Sequence, residues 1–141
     1  MPSYSVSASE IKYASGSSWT SGKARQGVYS STRYEGALNF PDLASFNFSN
    51  VAITGIQMRV TFGPAGGAST KYLTLYGGAQ NSISGSIASM RGSALGAVSV
   101  SNAFDRTVTL NFNSGSEAAI YNALVNFFAS GNCVLILYVP K

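Results

Sequence analysis

Histidine is absent from this chain, cysteine occurs once, and only 10% of its 141 residues are charged. Each shortage excludes something. Without His the usual general base and the commonest transition-metal ligand are missing, and Ser-His-Asp chemistry is impossible. A lone Cys forms neither an internal disulfide nor a cysteine-cluster zinc site. Charged residues make up about a quarter of an ordinary soluble chain, so this surface is built mainly from neutral groups. The longest apolar run, from Cys133 to Pro140, is too short to span a bilayer, and no membrane insertion is expected.

The few charges still carry information. Nine Lys and Arg against five Asp and Glu give a net charge of +4. The basic residues are scattered from Lys12 to Lys141, whereas a nucleic-acid binder gathers them on one face or helix. No nucleic-acid partner is expected. The start, Met1 to Ser7, has no basic segment followed by an apolar core, so synthesis in the cytoplasm without a signal peptide is the expectation. Action outside the cell then requires lysis, dedicated export or assembly into a particle.

What the chain does contain is aromatic residues (one Trp, eight Tyr, eight Phe), 15 Gly and much Ser, Thr and Asn. That composition folds, and it favours strands and turns over helix. Its length fits a single domain, 1–141. Ile56, Met58, Val60 and Phe62 alternate with polar residues, as do Val108, Leu110 and Phe112, and both runs have the period of half-buried strands. Tyr34 to Phe40 alternates similarly, and Tyr72 to Tyr76 is apolar on both faces. Weaker strands are expected at 9–14, 27–31, 83–90 and 97–101. Turns are expected at 16–18, 63–67, 77–78 and 92–93, where Gly clusters with Ser, Pro or a second Gly. Val51 and Ile53 have the opposite parity to the run from Ile56, which predicts a bulge or turn at Thr54-Gly55.

One helix is predicted, over 114–130. Ser114 and Glu117 have capping-box spacing; Ile120, Leu124, Phe127 and Phe128 form one stripe; Gly131 is a plausible stop. The run from Cys133 to Val139 is apolar on both parities, as in a strand buried on both faces. About eight strands and one helix before the last strand make the expected fold mainly β. A jelly-roll-like antiparallel β-sandwich is the leading topology.

No catalytic site emerges. Glu10, Glu35, Asp42 and Asp105 read as solvated strand faces or turn residues, Glu117 as a helix cap, and Cys133 as a buried small hydrophobe. Asp42 and Asp105 lack calcium-loop spacing, and no glycine-rich stretch has phosphate-loop spacing, so neither metal nor cofactor is expected. The candidate ligand-binding residues are Trp19, Tyr29 and Tyr34, with Arg25 and Arg33 as directional donors. Exposed rings with polar tips suit stacking on a sugar or anchoring a protein partner. The same rings also fit a packing role, with Trp19 closing one end of the core and the tyrosines packing across strands.

Arg33 to Phe40, Ile56 to Val60 and Tyr72 to Tyr76, closed by a helix and the apolar strand after Gly131, together resemble the DNRLRE-type (disaggregatase-related) β-sandwich. That family is related to carbohydrate-binding modules. The family's N-terminal Ala-Asp-Thr and its Asp-Val-Thr before the helix are missing here, so the resemblance implies architecture and no binding residues. In style the chain also resembles modules of phage tails, baseplates and capsid decorations. The expectation is a non-enzymatic structural or binding module of a virion or appendage, acting on a particle or outside the cell. Its expected partners are copies of itself or other virion proteins, and a surface glycan is a further candidate ligand. The alternative is a carbohydrate-binding module excised from a larger secreted glycan-active enzyme.

Overall fold

A computed structural model describes residues 5–15, 18–24, 27–29, 32–46, 53, 55–62, 70–83, 87–101, 106–113 and 118–138. Its strands in chain order are β1 (Glu10–Ala14), β2 (Thr20–Ser21), β3 (Gly27–Tyr29), β4 (Thr32–Asn39), β5 (Gly55–Phe62), β6 (Thr70–Gly78), β7 (Arg91–Ser101), β8 (Arg106–Asn113) and β9 (Val134–Leu137). Helical segments are α1 (Pro41–Ala44), α2 (Ile87–Met90) and α3 (Ala118–Ala129).

The strand pairing is nested. β4 pairs with β9, β5 with β8 and β6 with β7, all antiparallel, as if one long hairpin had been wrapped on itself. A β6–β9 pairing then stitches the outer and inner turns into one sheet of order β2-β1-β4-β9-β6-β7, with β3 also on β4. β5 and β8 form the opposing two-stranded sheet. This nested wrap is the jelly-roll topology, three pairs deep. Helix α3 packs against both β7 and β8, one strand from each sheet.

The local sequence explains the main layer contacts. Ile56, Met58, Val60 and Phe62 turn inward from β5, while Gln57, Arg59 and Thr61 are exposed. Across the ladder on that polar side, the Gln57 amide donates to Asn111 Oδ1 at 2.8 Å and the Thr61 and Thr107 hydroxyls meet at 2.9 Å. Ile120, Leu124 and Phe128, four residues apart on α3, join Leu110, Phe112, Leu73, Val100 and Leu135 in the main core. The Tyr121 hydroxyl donates to the Ile53 carbonyl, and Thr54 lies outside the described residues. Gly131, at φ +89°, ends the helix, its N–H donating to the Phe128 carbonyl at 3.0 Å. The proposed cap, 114–117, lies outside the described residues, as do 63–67 and Asp105.

β9 is buried at all four positions, because the large sheet is covered on both faces. Leu135 faces the main core, while Val134 and Ile136 join Ala37, Ile83, Met90 and Cys133 in a second cluster on the outer face. That second cover corrects the expected strand at 83–90. Residues 87–90 are the helical turn α2, and Ile83 and Met90 both join the outer cluster. The Ala79 N–H donates to the Met90 carbonyl at 2.7 Å.

The glycines at 77–78 and 92 also differ from expectation: they lie within β6 and β7, not in turns. Close approach is the reason. A Cβ on Gly77 would stand 2.4 Å from the Phe127 ring, one on Gly78 2.8 Å from Val134, and one on Gly92 2.7 Å from the Gly77 carbonyl oxygen. Asp42 sits exposed in the first turn of α1.

Candidate functional site

Alternation along β4 places Arg33, Glu35, Ala37 and Asn39 on the outer face of the sheet and Tyr34, Gly36 and Leu38 on the inner side. On β1 the register sets Ala14 beside Glu35, Lys12 beside Ala37 and Glu10 beside Asn39. Glu35 is therefore not on a solvated face. It has no exposed surface, because the outer face is covered by the connection before β7 and by its neighbours.

The partner of Glu35 is Arg91, the first residue of β7, whose Nε lies 3.2 Å from Oε1. The N–H is not aimed along that line. Among the described residues neither carboxylate oxygen nor the Nε has a hydrogen-bond partner. Burial pushes the Glu35 carboxyl up to about 7, with the Arg91 charge pulling partly the other way. The Arg91 guanidinium lies 3.8 Å from the centre of the Tyr138 ring, and that of Arg33 lies 5.8 Å from it. Tyr76 meets Tyr138 edge-on at 5.8 Å. The result is a half-buried patch of two guanidiniums and two phenol rings over one buried carboxylate.

A second polar group lies further along the same face. Glu10 accepts from Asn39 Nδ2 at 2.9 Å and pairs with Lys12 Nζ at 3.1 Å; these contacts hold its carboxyl below the usual range. Glu10 stands four positions along β1 from Ala14, the residue beside Glu35, a backbone spacing of about 13 Å at the rise of an extended strand. Two carboxylates acting on one glycosidic bond stand about 5–9.5 Å apart. Cys133 is buried, its thiol donating to Asn39 Oδ1 at 3.2 Å, and burial pushes its pKa up, so it stays a protonated small hydrophobe.

The predicted ligand residues divide as follows. Arg33 belongs to the outer patch, and Trp19 is half-buried and packed on the outer cluster. Tyr34 turns to the opposite side, where its ring meets Tyr13 edge-on at 5.8 Å. Arg25 lies outside the described residues, and of Tyr29 only the backbone pairing with Thr32 is described. Sequence reasoning misses Glu35, Arg91, Tyr76 and Tyr138 as members of one patch. The legible signal is the shared parity of Arg33 and Glu35, but nothing local in the chain marks Arg91 as their neighbour.

Among the described residues there is no group of three or more His, Cys, Asp or Glu side chains able to hold a metal, and no helix is long and apolar enough to cross a membrane. No family model matches the chain, and neither the curated proteins nor the solved structures contain a match to it.

Proposed function

We propose that this chain is a non-enzymatic assembly module of the virion or appendage type, which works by packing against copies of itself or neighbouring particle proteins. The observation that carries the reading is a charge-free side. β7 from Gly92 to Ser101 and the whole of α3 contain no Asp, Glu, Lys or Arg. Yet Ala119, Asn122, Asn126 and Ala129 on α3 and Ala97 and Ser99 on β7 are exposed. A helix face turned permanently to water normally carries charge, and charge is depleted from the cores of interfaces. The jelly-roll wrap is an architecture common in capsid and lectin domains, which supports the same reading by analogy of fold. Glu10 is held by Asn39 and Lys12 and Glu35 lies against Arg91, so the two carboxylates face different partners, which supports a non-enzymatic reading.

A second reading, contact with a surface glycan, is favoured by the outer patch of Arg33, Arg91, Tyr76 and Tyr138. Weak single-site binding there would be amplified by copy number in an assembly. Light scattering on the purified chain tests the assembly reading. A defined oligomer is the expected result. A monomer at all concentrations overturns the assembly reading and leaves an isolated binding module, for which a glycan array with Arg33→Ala as control is decisive.

A further inference from the structure

The large sheet ends in two edges of opposite character. At one end β2 is two residues long, it is followed by Gly22 at φ +119° and exposed Lys23, and its neighbour β1 carries Glu10 and Lys12. Short strands and edge lysines are how a sheet end is kept from pairing with another chain. At the other end β7 is 11 residues long, with no charge after Arg91 and no proline. Arg91 itself is turned onto Tyr138 and Glu35. Among the described residues β7 pairs with β6 alone, and no strand occupies its second edge.

The part of β7 fit for pairing is also defined. Register shifts against β6 fall between Leu75 and Gly78, and Gly96, at φ +147°, marks their end. From Gly96 to Ser101 the register is unbroken, six residues opposite Leu75 to Thr70. Val98 and Val100 point to the core, while Ala97 and Ser99 are exposed, small and neutral on the outer face. A row of backbone N–H and C=O groups that no other described strand takes up is a template for another strand.

Resting on the assembly reading, we infer that the edge of β7 over Gly96–Ser101 pairs antiparallel with the same edge of a second copy, around a two-fold axis. The occupant is a second copy: the strip has no charge to select an oppositely charged partner, and it lets two chains of net charge +4 meet without setting like charges against each other. Antiparallel self-pairing sets small neutral side chains opposite one another, and it brings the uncharged exposed face of α3, which packs beside β7, to the same junction.

The test is the solution mass of the wild-type chain, of the double variant Ala97→Lys/Ser99→Lys, and of Gln57→Lys/Thr61→Lys on the exposed side of β5. Circular dichroism and a melting curve confirm that each variant is folded. The expected result is a wild-type dimer, a monomeric β7 variant and an unaltered β5 variant. Mixing the β7 lysine variant with Ala97→Glu/Ser99→Glu restores the dimer, which loss of folding cannot mimic. A folded β7 variant that keeps the wild-type mass overturns the inference while the assembly reading stands. An odd-numbered wild-type oligomer also overturns the two-fold pairing and leaves assembly intact. A wild-type monomer removes both.

Discussion

The two faces of the large sheet solve burial differently. Its inner face meets a mainly apolar cover: Leu73, Val100 and Leu135 pack against Phe112 from β8 and Leu124 and Phe128 from α3. Its outer face has a smaller cover, supplied by Trp19, Ile83 and Met90, and admits polar groups beneath it: Glu35, Asn39 and the head of Arg91. Apolar burial is non-directional and answers to volume, whereas a buried carboxylate answers to its counter-charge and its hydrogen bonds. The outer face is therefore where pH and single charges act on this fold, and the inner face is where volume acts.

The largest expected effect tests the charge half of that contrast. Removing Arg91 by Arg91→Ala leaves Glu35 buried without its counter-charge, at a cost of about 3–5 kcal/mol at pH 8. Denaturant unfolding measures it. Below the ordinary carboxylate range the same substitution costs markedly less, because Glu35 is then neutral in both states. Replacing both partners by apolar residues, Glu35→Met with Arg91→Met, is expected to recover most of the loss, since a buried pair exchanged for apolar packing is often neutral. If Arg91→Ala costs the same at pH 4 and pH 8, the pair is a packing feature and the contrast between the faces fails.

These two faces were not equally legible in the sequence, and the reason is physical. The inner face is written in local periods: Ile56 to Phe62, Val108 to Phe112, and Ile120, Leu124 and Phe128 each bury one side at strand or helix spacing. The apolar run around Leu135 and Ile136 even announces that a second cover exists. What supplies that cover has no period. Residues 83–90 read as a weak strand, yet 87–90 are helical and Ile83 and Met90 anchor on the outer cluster. Alternation says only that Glu35 opposes Tyr34 and Leu38; which side is dry depends on that distant cover. The same limit splits the candidate site. Arg33 and Trp19 go to the outer face and Tyr34 to the other, while Tyr76, Arg91 and Tyr138 arrive through strand order, which no local pattern encodes. Composition likewise cannot separate a glycine needed for a turn from Gly77 or Gly92, where another atom occupies the space of a Cβ.

A smaller effect sharpens the outer face alone. Burial raises the Glu35 carboxyl from 4.5 to about 7 in the folded chain. The folded state thus holds this proton more tightly than the unfolded one. The associated stability is fully present below pH 4.5 and is lost as pH rises to about 7, by roughly 2–3 kcal/mol. Glu35→Gln keeps the shape and removes the titration, so its stability is expected to stay flat across that window relative to wild type. Glu10, held below its usual range, acts in the opposite sense and at lower pH, so it does not mask the comparison.

The smallest effect belongs to the inner face. Gly77 stands under the Phe127 ring, with 2.4 Å between that ring and the place a Cβ would take. Phe127 is itself fixed edge-on against Phe128 at 5.4 Å, so the ring cannot simply swing aside without disturbing a core residue. Gly77→Ala is expected to cost about 1–3 kcal/mol, the range for overpacking by a single group. That cost should not change between pH 4 and pH 8, because among the described residues the main core cluster contains no Asp, Glu, Lys, Arg or Cys. Tm measured at the two pH values gives the answer, and a shift that follows pH would mean that the faces are coupled through β6 and β9. Arg91→Ala and Gly77→Ala, measured side by side, thus divide the sheet: one loss switched by a proton, the other set by volume alone.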